Sequence, residues 1–255
     1  MMMQDRVYNG NDSGGGIDNA GALTLHGAVV VRNAGFFGGG IMNAGALTLT
    51  ETTVADNDGS GGGIGNVGTA YIVDSIVRDN ASGIANNGGL VMLSNSMVVS
   101  NGLCGGSVCA QEGGGITNYF GKIALVDSVV RGNFSEEWGG GIFNYGELLL
   151  TRTLVAGNKS FFHGGGIFIY EGPAALESAT VSGNSAEGFG GGIYAEDSLT
   201  IRNSAILSNT APAGGGISFE VRNDRPDAEF ILDNCTVVSN TADAMGGGVE
   251  TYGGV

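Results

Sequence analysis

The sequence predicts an all-β chain wound as a right-handed parallel β-helix, and three observations carry that prediction. A twelve-residue module recurs nine times with no gap inside any copy. A Gly triplet followed by Ile or Val stands between most modules, with successive triplets mostly 23 to 26 residues apart, the span of a solenoid coil. Apolar residues alternate over short stretches, which is strand periodicity, and no window sustains a helical one.

Each module opens with its first strand. Position two is apolar and position four is always Leu or Ile, as in Leu25, Leu49, Ile72, Leu93, Leu125, Leu150, Leu176, Ile201 and Leu232. A second strand follows, with a small residue at position seven and Val at position nine, replaced once by Ile206. Position eight then points outward as an apolar column from Val29 through Ile76, Met97 and Leu154 to Thr236, a strip that would suit side-by-side association.

The module ends in an Asn that never varies: Asn33, Asn57, Asn80, Asn101, Asn133, Asn158, Asn184, Asn209 and Asn240. A side-chain amide is both donor and acceptor, so identical amides stacked one rung apart satisfy each other in a buried ladder. The Gly–Ile segment supplies a third strand. Two residues after its Ile a second amide column runs Asn19, Asn43, Asn66, Asn86, Asn118 and Asn144, then gives way to Ile169, Ala195 and Phe219. Glycines mark positive φ or close approach to the next rung. About ten coils of roughly 24 residues result, and rungs about 4.8 Å apart would make nine of them a rod of roughly 43 Å. We read residues 1–255 as a single β-helix domain.

Two insertions break the spacing, at 102–112 and at 218–228, and solenoid insertions go to outer loops that often build a binding face. The first holds Cys104 and Cys109, which would bridge only in an exported chain. Cys235, at position seven of the last module, reads as a buried thiol.

Aromatic residues gather around the Gly triplets of the fifth to eighth coils, from Tyr119 and Phe120 through Trp138, Phe143 and Tyr145 to Phe189 and Tyr194. Carboxylates lie among them. Aromatic faces beside acids suit sugar rings. Trp138, the only Trp, is the first candidate for ligand contact, with Phe162, His163 and Phe189 at matching turns and Glu136 and Glu137 as hydrogen-bond acceptors. For a hydrolase, Glu171 and Asp197 are the candidate pair, each four residues after its coil's Ile. The two histidines, His26 and His163, read as isolated at outward or loop positions. No cofactor, zinc spacing or calcium nonapeptide is apparent, and a net charge of −15 disfavours nucleic acid.

GGGI followed by Val-x-x-Asn resembles the repeats of the chlamydial-type polymorphic outer membrane proteins. It is also similar to the right-handed β-helix repeats of secreted bacterial proteins in the pectate-lyase-like superfamily. This chain has Val where the former carry Phe. The resemblance implies an extracellular or cell-surface location, with an export signal upstream of this chain. It implies a passenger, adhesin or spacer that meets a glycan or a protein of a host or neighbouring cell. It leaves open the alternative of a polysaccharide-degrading enzyme. Both ends fall mid-rung, with Tyr8 and Asn11 placed as the Val and Asn of a preceding module. We therefore expect a piece of a longer solenoid, with end-to-end association through open coil edges.

Overall fold

The computed structural model describes residues 15–59, 61–102 and 110–253, and the backbone of Met2–Met3. Tyr8, Asn11, Cys104 and Cys109 lie outside the described residues. No helix occurs among the described residues, and the strands pair in parallel from coil to coil as a β-solenoid. From Asn33 to Asn240 the chain makes about eight turns between nine modules. That is slightly fewer than the ten coils expected; among the described residues the outermost rungs contribute single strands, Met2–Met3 and Val249–Gly253.

One sheet stacks the short second strands of the modules. Its register puts Val30, Val54, Val77, Val98, Val130 and Val155 directly over one another, each at most 2% exposed. The residue before each, position eight, faces outward: Val29 and Met97 are both 39% exposed. A second, larger sheet stacks the Gly–Ile segment and the first strand of each module, which fuse into single strands at Ile116–Val126 and Ile142–Thr151. The Ile column from Ile41 to Ile217 and the Leu/Ile column from Leu49 to Ile201 meet the Val column in one continuous core. Only the third sheet is new relative to the sequence. It consists of Phe134–Ser135, Lys159–Ser160, Ser185–Ala186, Thr210–Ala213 and Thr241–Met245, each just after its ladder Asn. The Asn-to-triplet segment is four or five residues long in these coils, but only three after Asn57 and absent after Asn80.

The ladder is continuous. Each Asn Nδ2 donates to the next Asn Oδ1 at 2.9–3.1 Å from Asn33 to Asn240. The same Oδ1 also accepts the preceding Asn's backbone N–H at 2.9–3.1 Å. The second Nδ2 proton goes back to the preceding coil's Val or Ile carbonyl, as from Asn133 to Val98 at 3.0 Å and from Asn240 to Ile206 at 2.9 Å. The second amide column bonds likewise from Asn19 to Asn144 at 2.7–2.9 Å. Position seven forms a column that the sequence pattern marked only as small. The hydroxyls of Thr52, Ser75, Ser96, Ser128 and Ser204 each accept a backbone N–H from the coil before.

Corners at positions six and eleven have φ of +47° to +63° in all nine modules, and most are not glycine: Glu51, Asp74, Arg152, Asn203 and Ser208 are examples. The triplet glycines answer mainly to close approach. A Cβ on Gly141 would sit 2.5 Å from the Gly166 oxygen and 2.9 Å from Asn158 Nδ2. Three further expectations change. Cys235 is half-buried, its thiol donating to the Ile201 and Asp233 carbonyls, because no later coil covers position seven there among the described residues. Residues 218–221 belong to the strand Ile217–Val221, so the second insertion leaves the coil only at Arg222. His26 is exposed as expected, whereas His163 is packed in an aromatic stack rather than isolated.

Candidate functional site

In the larger sheet, the Ile of each Gly–Ile strand points into the core, so by strand alternation the residues one and three places later point out. In coils two to five the first of these columns carries no aromatic ring: Met42, Gly65, Ala85 and Thr117. In coils six to eight it becomes Phe143, Phe168 and Tyr194, in register on neighbouring rungs. Their rings stack at 5.5 and 5.1 Å with interplanar angles of 11° and 24°. Although they face away from the core they are only 3–4% exposed, because two walls cover them.

One wall is the residue before each triplet. Backbone hydrogen bonds from Gly139 to the His163 oxygen and from Gly164 to the Phe189 oxygen align Trp138, His163 and Phe189 in a column. The five-residue segments that carry the third sheet in these coils lead directly into this wall. His163 stacks on Tyr194 at 4.8 Å and on Phe189 at 5.1 Å. Its Nδ1 accepts the Phe189 N–H at 2.9 Å, which requires a neutral ring nitrogen, and burial pushes the imidazole below its ordinary value in the same direction. The opposite wall is made by the residues three places after each Ile: Tyr119 pairs with Tyr145, and a register shift that sets Tyr145 opposite Glu171 leaves Tyr170 edge-on to Tyr145 at 5.2 Å. Between the walls lies a groove of about 490 Å³ running along the rod, with Glu112 at the coil-five end and Glu196 at the coil-eight end.

Both end carboxyls are held above the usual carboxylate range. Burial does this to Glu112, helped by Glu137, and burial does it to Glu196 against the opposing charge of Arg222. At the coil-eight end the Tyr194 hydroxyl bonds Glu220 and lies 3.0 Å from the Tyr252 hydroxyl, which donates to Glu220 at 3.0 Å. Burial and Glu220 push the Tyr194 phenol well up, and burial carries Tyr252 to about 12.

The second insertion folds back onto this end. Arg222 pairs with Glu196 at 2.9 Å and lies 5.0 Å over the Tyr170 ring. Arg225 pairs with Glu171 and with Asp197, the latter at 2.5 Å. Asp197 is 8% exposed and also accepts the Gly172 and Ser198 backbone N–H groups at 2.9 and 2.6 Å. The candidate hydrolase pair therefore does converge, but on a shared guanidinium that both carboxylates neutralise.

Of the six candidate binding residues, Trp138 and His163 line the groove, and Phe189 stacks on His163. Phe162 sits one place outside the column, half-exposed, its ring 6.5 Å from Trp138. Glu136 and Glu137 hold the wall through backbone bonds to the Ala110 and Gln111 carbonyls and are not among the lining residues. Glu112, Glu220 and Tyr252 escaped the sequence reading altogether. The signal for Tyr252 and Glu220 was present, since both lie three residues after their coil's Ile or Val, in the same column as Tyr119, Tyr145 and Tyr170. Among the described residues no group of three or more His, Cys, Asp and Glu side chains is placed to hold a metal ion. No protein-family model, curated protein or solved structure matches this chain.

Proposed function

We propose that this chain is a non-catalytic extracellular or cell-surface β-helix of the passenger or adhesin kind. In this reading it is akin to the polymorphic outer membrane protein repeats and binds a neutral polysaccharide along the groove of coils five to eight. The aromatic groove carries the reading. Its wall rings, Trp138 and His163 on one side and Tyr119, Tyr145 and Tyr170 on the other, recur at the coil repeat of about 4.8 Å, close to the length of one sugar residue in an extended chain, so successive residues each meet a ring. Glutamates at both ends and Tyr hydroxyls along one wall offer acceptors for sugar hydroxyls. The carboxylates around the groove outnumber Arg222 and Arg225, and the whole chain carries −15, which favours neutral over uronate polymers. Coils one to four then serve as a rigid stalk.

The glycosidase alternative needs an acid and a base about 6.5–9.5 Å apart for inversion, or about 5–5.5 Å for retention. Glu112 and Glu196, the two groove carboxyls with raised values, stand on rungs three apart, which separates them by about 14 Å along the axis. Glu220, one rung from Glu196, is committed to two Tyr hydroxyls, and Glu171 and Asp197 to Arg225. Among the described residues, the carboxyls that line the groove therefore form no pair at working distance. Trp138, the only Trp, reports directly on the groove. Titration with a soluble β-glucan or a galactomannan should shift its fluorescence, whereas polygalacturonate should not. Trp138→Ala, which lacks that reporter and is followed by titration calorimetry, should lower affinity at least tenfold with unchanged circular dichroism. A flat response to every polymer would overturn the binding reading, and release of new reducing ends would overturn the non-catalytic one.

A further inference from the structure

Coil five carries one residue more than coil six between its Gly–Ile strand and its module. Tyr119 pairs with Tyr145 and Lys122 with Glu147, so Phe120 and Gly121 together face the single Gly146. The extra residue is Phe120, and it is in the left-handed region with φ +56°. A bulky aromatic there is a backbone outlier. Burial does not offset the strain, since Phe120 is 68% exposed, the most exposed large apolar side chain among the described residues. The preceding coil solves the same turn with glycine: Gly88 occupies the equivalent place between Asn87 and Leu90, with φ +79°. A phenyl ring is thus held out in solvent at a position where the fold itself is content with no side chain.

What lies beside the ring suggests its use. Its centroid is 4.4 Å from that of Tyr145, which lines the groove, so the two rings make a continuous apolar surface leading out of it. On the outer side is an open shelf of about 790 Å³ floored by Gly88, Gly89, Gly121, Gly146 and Gly172. Bare backbone allows a ligand to approach closely, and the half-exposed Lys122–Glu147 pair at 2.7 Å puts polar partners on the shelf. We propose that Phe120 is an outlying stacking platform for the same neutral polysaccharide, engaged only by chains long enough to leave the groove past Tyr145 and cross the glycine shelf. This rests on the groove reading above.

The test is Phe120→Gly, which installs the residue that coil four already uses, with Phe120→Tyr as the variant that keeps a ring. Affinities of β-glucan and galactomannan polymers, and of trisaccharides of the same linkages, are read from Trp138 fluorescence, with thermal unfolding alongside. Phe120→Gly should unfold at the same or a higher temperature and bind the polymers about three- to tenfold more weakly, the size of one ring contact. It should bind the trisaccharides unchanged, and Phe120→Tyr should restore polymer binding. Unaltered polymer affinity in Phe120→Gly overturns the platform while leaving the groove intact. A lowered unfolding temperature with loss of both ligands overturns it in favour of a brace for Tyr145. An unaltered protein that binds neither polymer overturns the groove and the platform together.

Discussion

Each ladder Asn within the row spends its whole amide, as Asn133 does: Oδ1 accepts two protons, and Nδ2 gives one forward and one back. Removing a single member therefore takes a partner from four groups on the two flanking coils. For Asn133 these are the Asn101 backbone N–H, one Asn101 Nδ2 proton, the Val98 carbonyl and Asn158 Oδ1, which keeps only the backbone N–H of residue 133. Asn133→Leu should cost about 3 kcal/mol or somewhat more, given about 1–3 kcal/mol per buried unsatisfied group and partial relaxation. Asn240→Leu, at a half-exposed position, should cost clearly less. Urea unfolding of both variants measures the difference, and equal losses would mean that the ladder bonds are not what stabilises the turn. The second column shows where an amide row can stop. Asn144 Nδ2 turns to the Gly146 and Glu171 carbonyls at 2.6 and 3.4 Å, so Ile169 can follow with no polar atom stranded. Both columns were legible in the sequence because identical residues recurred at the coil period. The backbone N–H that completes each amide was not, since it carries no side-chain signature.

At the scale of strands and corners, glycine plays separate roles that a count of fifty glycines conceals. Gly141 is required by contact, with a neighbouring carbonyl and a ladder amide inside the reach of any Cβ. Gly21 has no such neighbour within 4 Å and no positive φ. Gly141→Ala should lower the unfolding free energy by several kcal/mol, as overpacking and a disturbed ladder add. Gly21→Ala should raise it by about 0.4–1 kcal/mol, by restricting the unfolded chain. Thermal or urea unfolding of the pair checks this, and a stable Gly141→Ala would show that the rungs can part. Corners with positive φ fell instead to Asp, Asn, Ser, Arg and Glu at positions six and eleven, which the sequence pattern left as unconstrained. The third sheet was missed for a related reason. Its strands lie in the segment after each Asn, where the only repeated feature is a small residue two places on, Ser135, Ser160, Ala186, Ala211 and Ala242, which carries no strand signature of its own.

Along the rod, each coil rests on its neighbours, so protection should follow how many neighbours cover it. Core positions in coil nine, Val237 and Phe230, are half-buried, whereas Val98, Val130 and Val155 are fully buried. Hydrogen exchange should be slowest in the strands around those three valines and fastest at Thr236–Val238 and Thr241–Met245. Uniform protection would mean that the solenoid opens as one unit. The groove draws on coils five to nine at once, and so depends on every rung between them being in place.

The sequence by itself determined whatever repeats once per coil: the parallel stack, the Ile, Leu and Val core columns, both amide rows, and the aromatic enrichment of coils five to eight. A repeated residue announces its own column. Tertiary structure decided what does not repeat. Which wall Trp138 joins, that Phe162 falls outside it, and that Arg222 and Arg225 return to Glu196, Asp197 and Glu171 all depend on segments of unequal length. In those segments the hydrogen-bonded register, and not position in the chain, fixes which side chains face each other. Where coil five carries one residue more than coil six, Phe120 stands out at the surface.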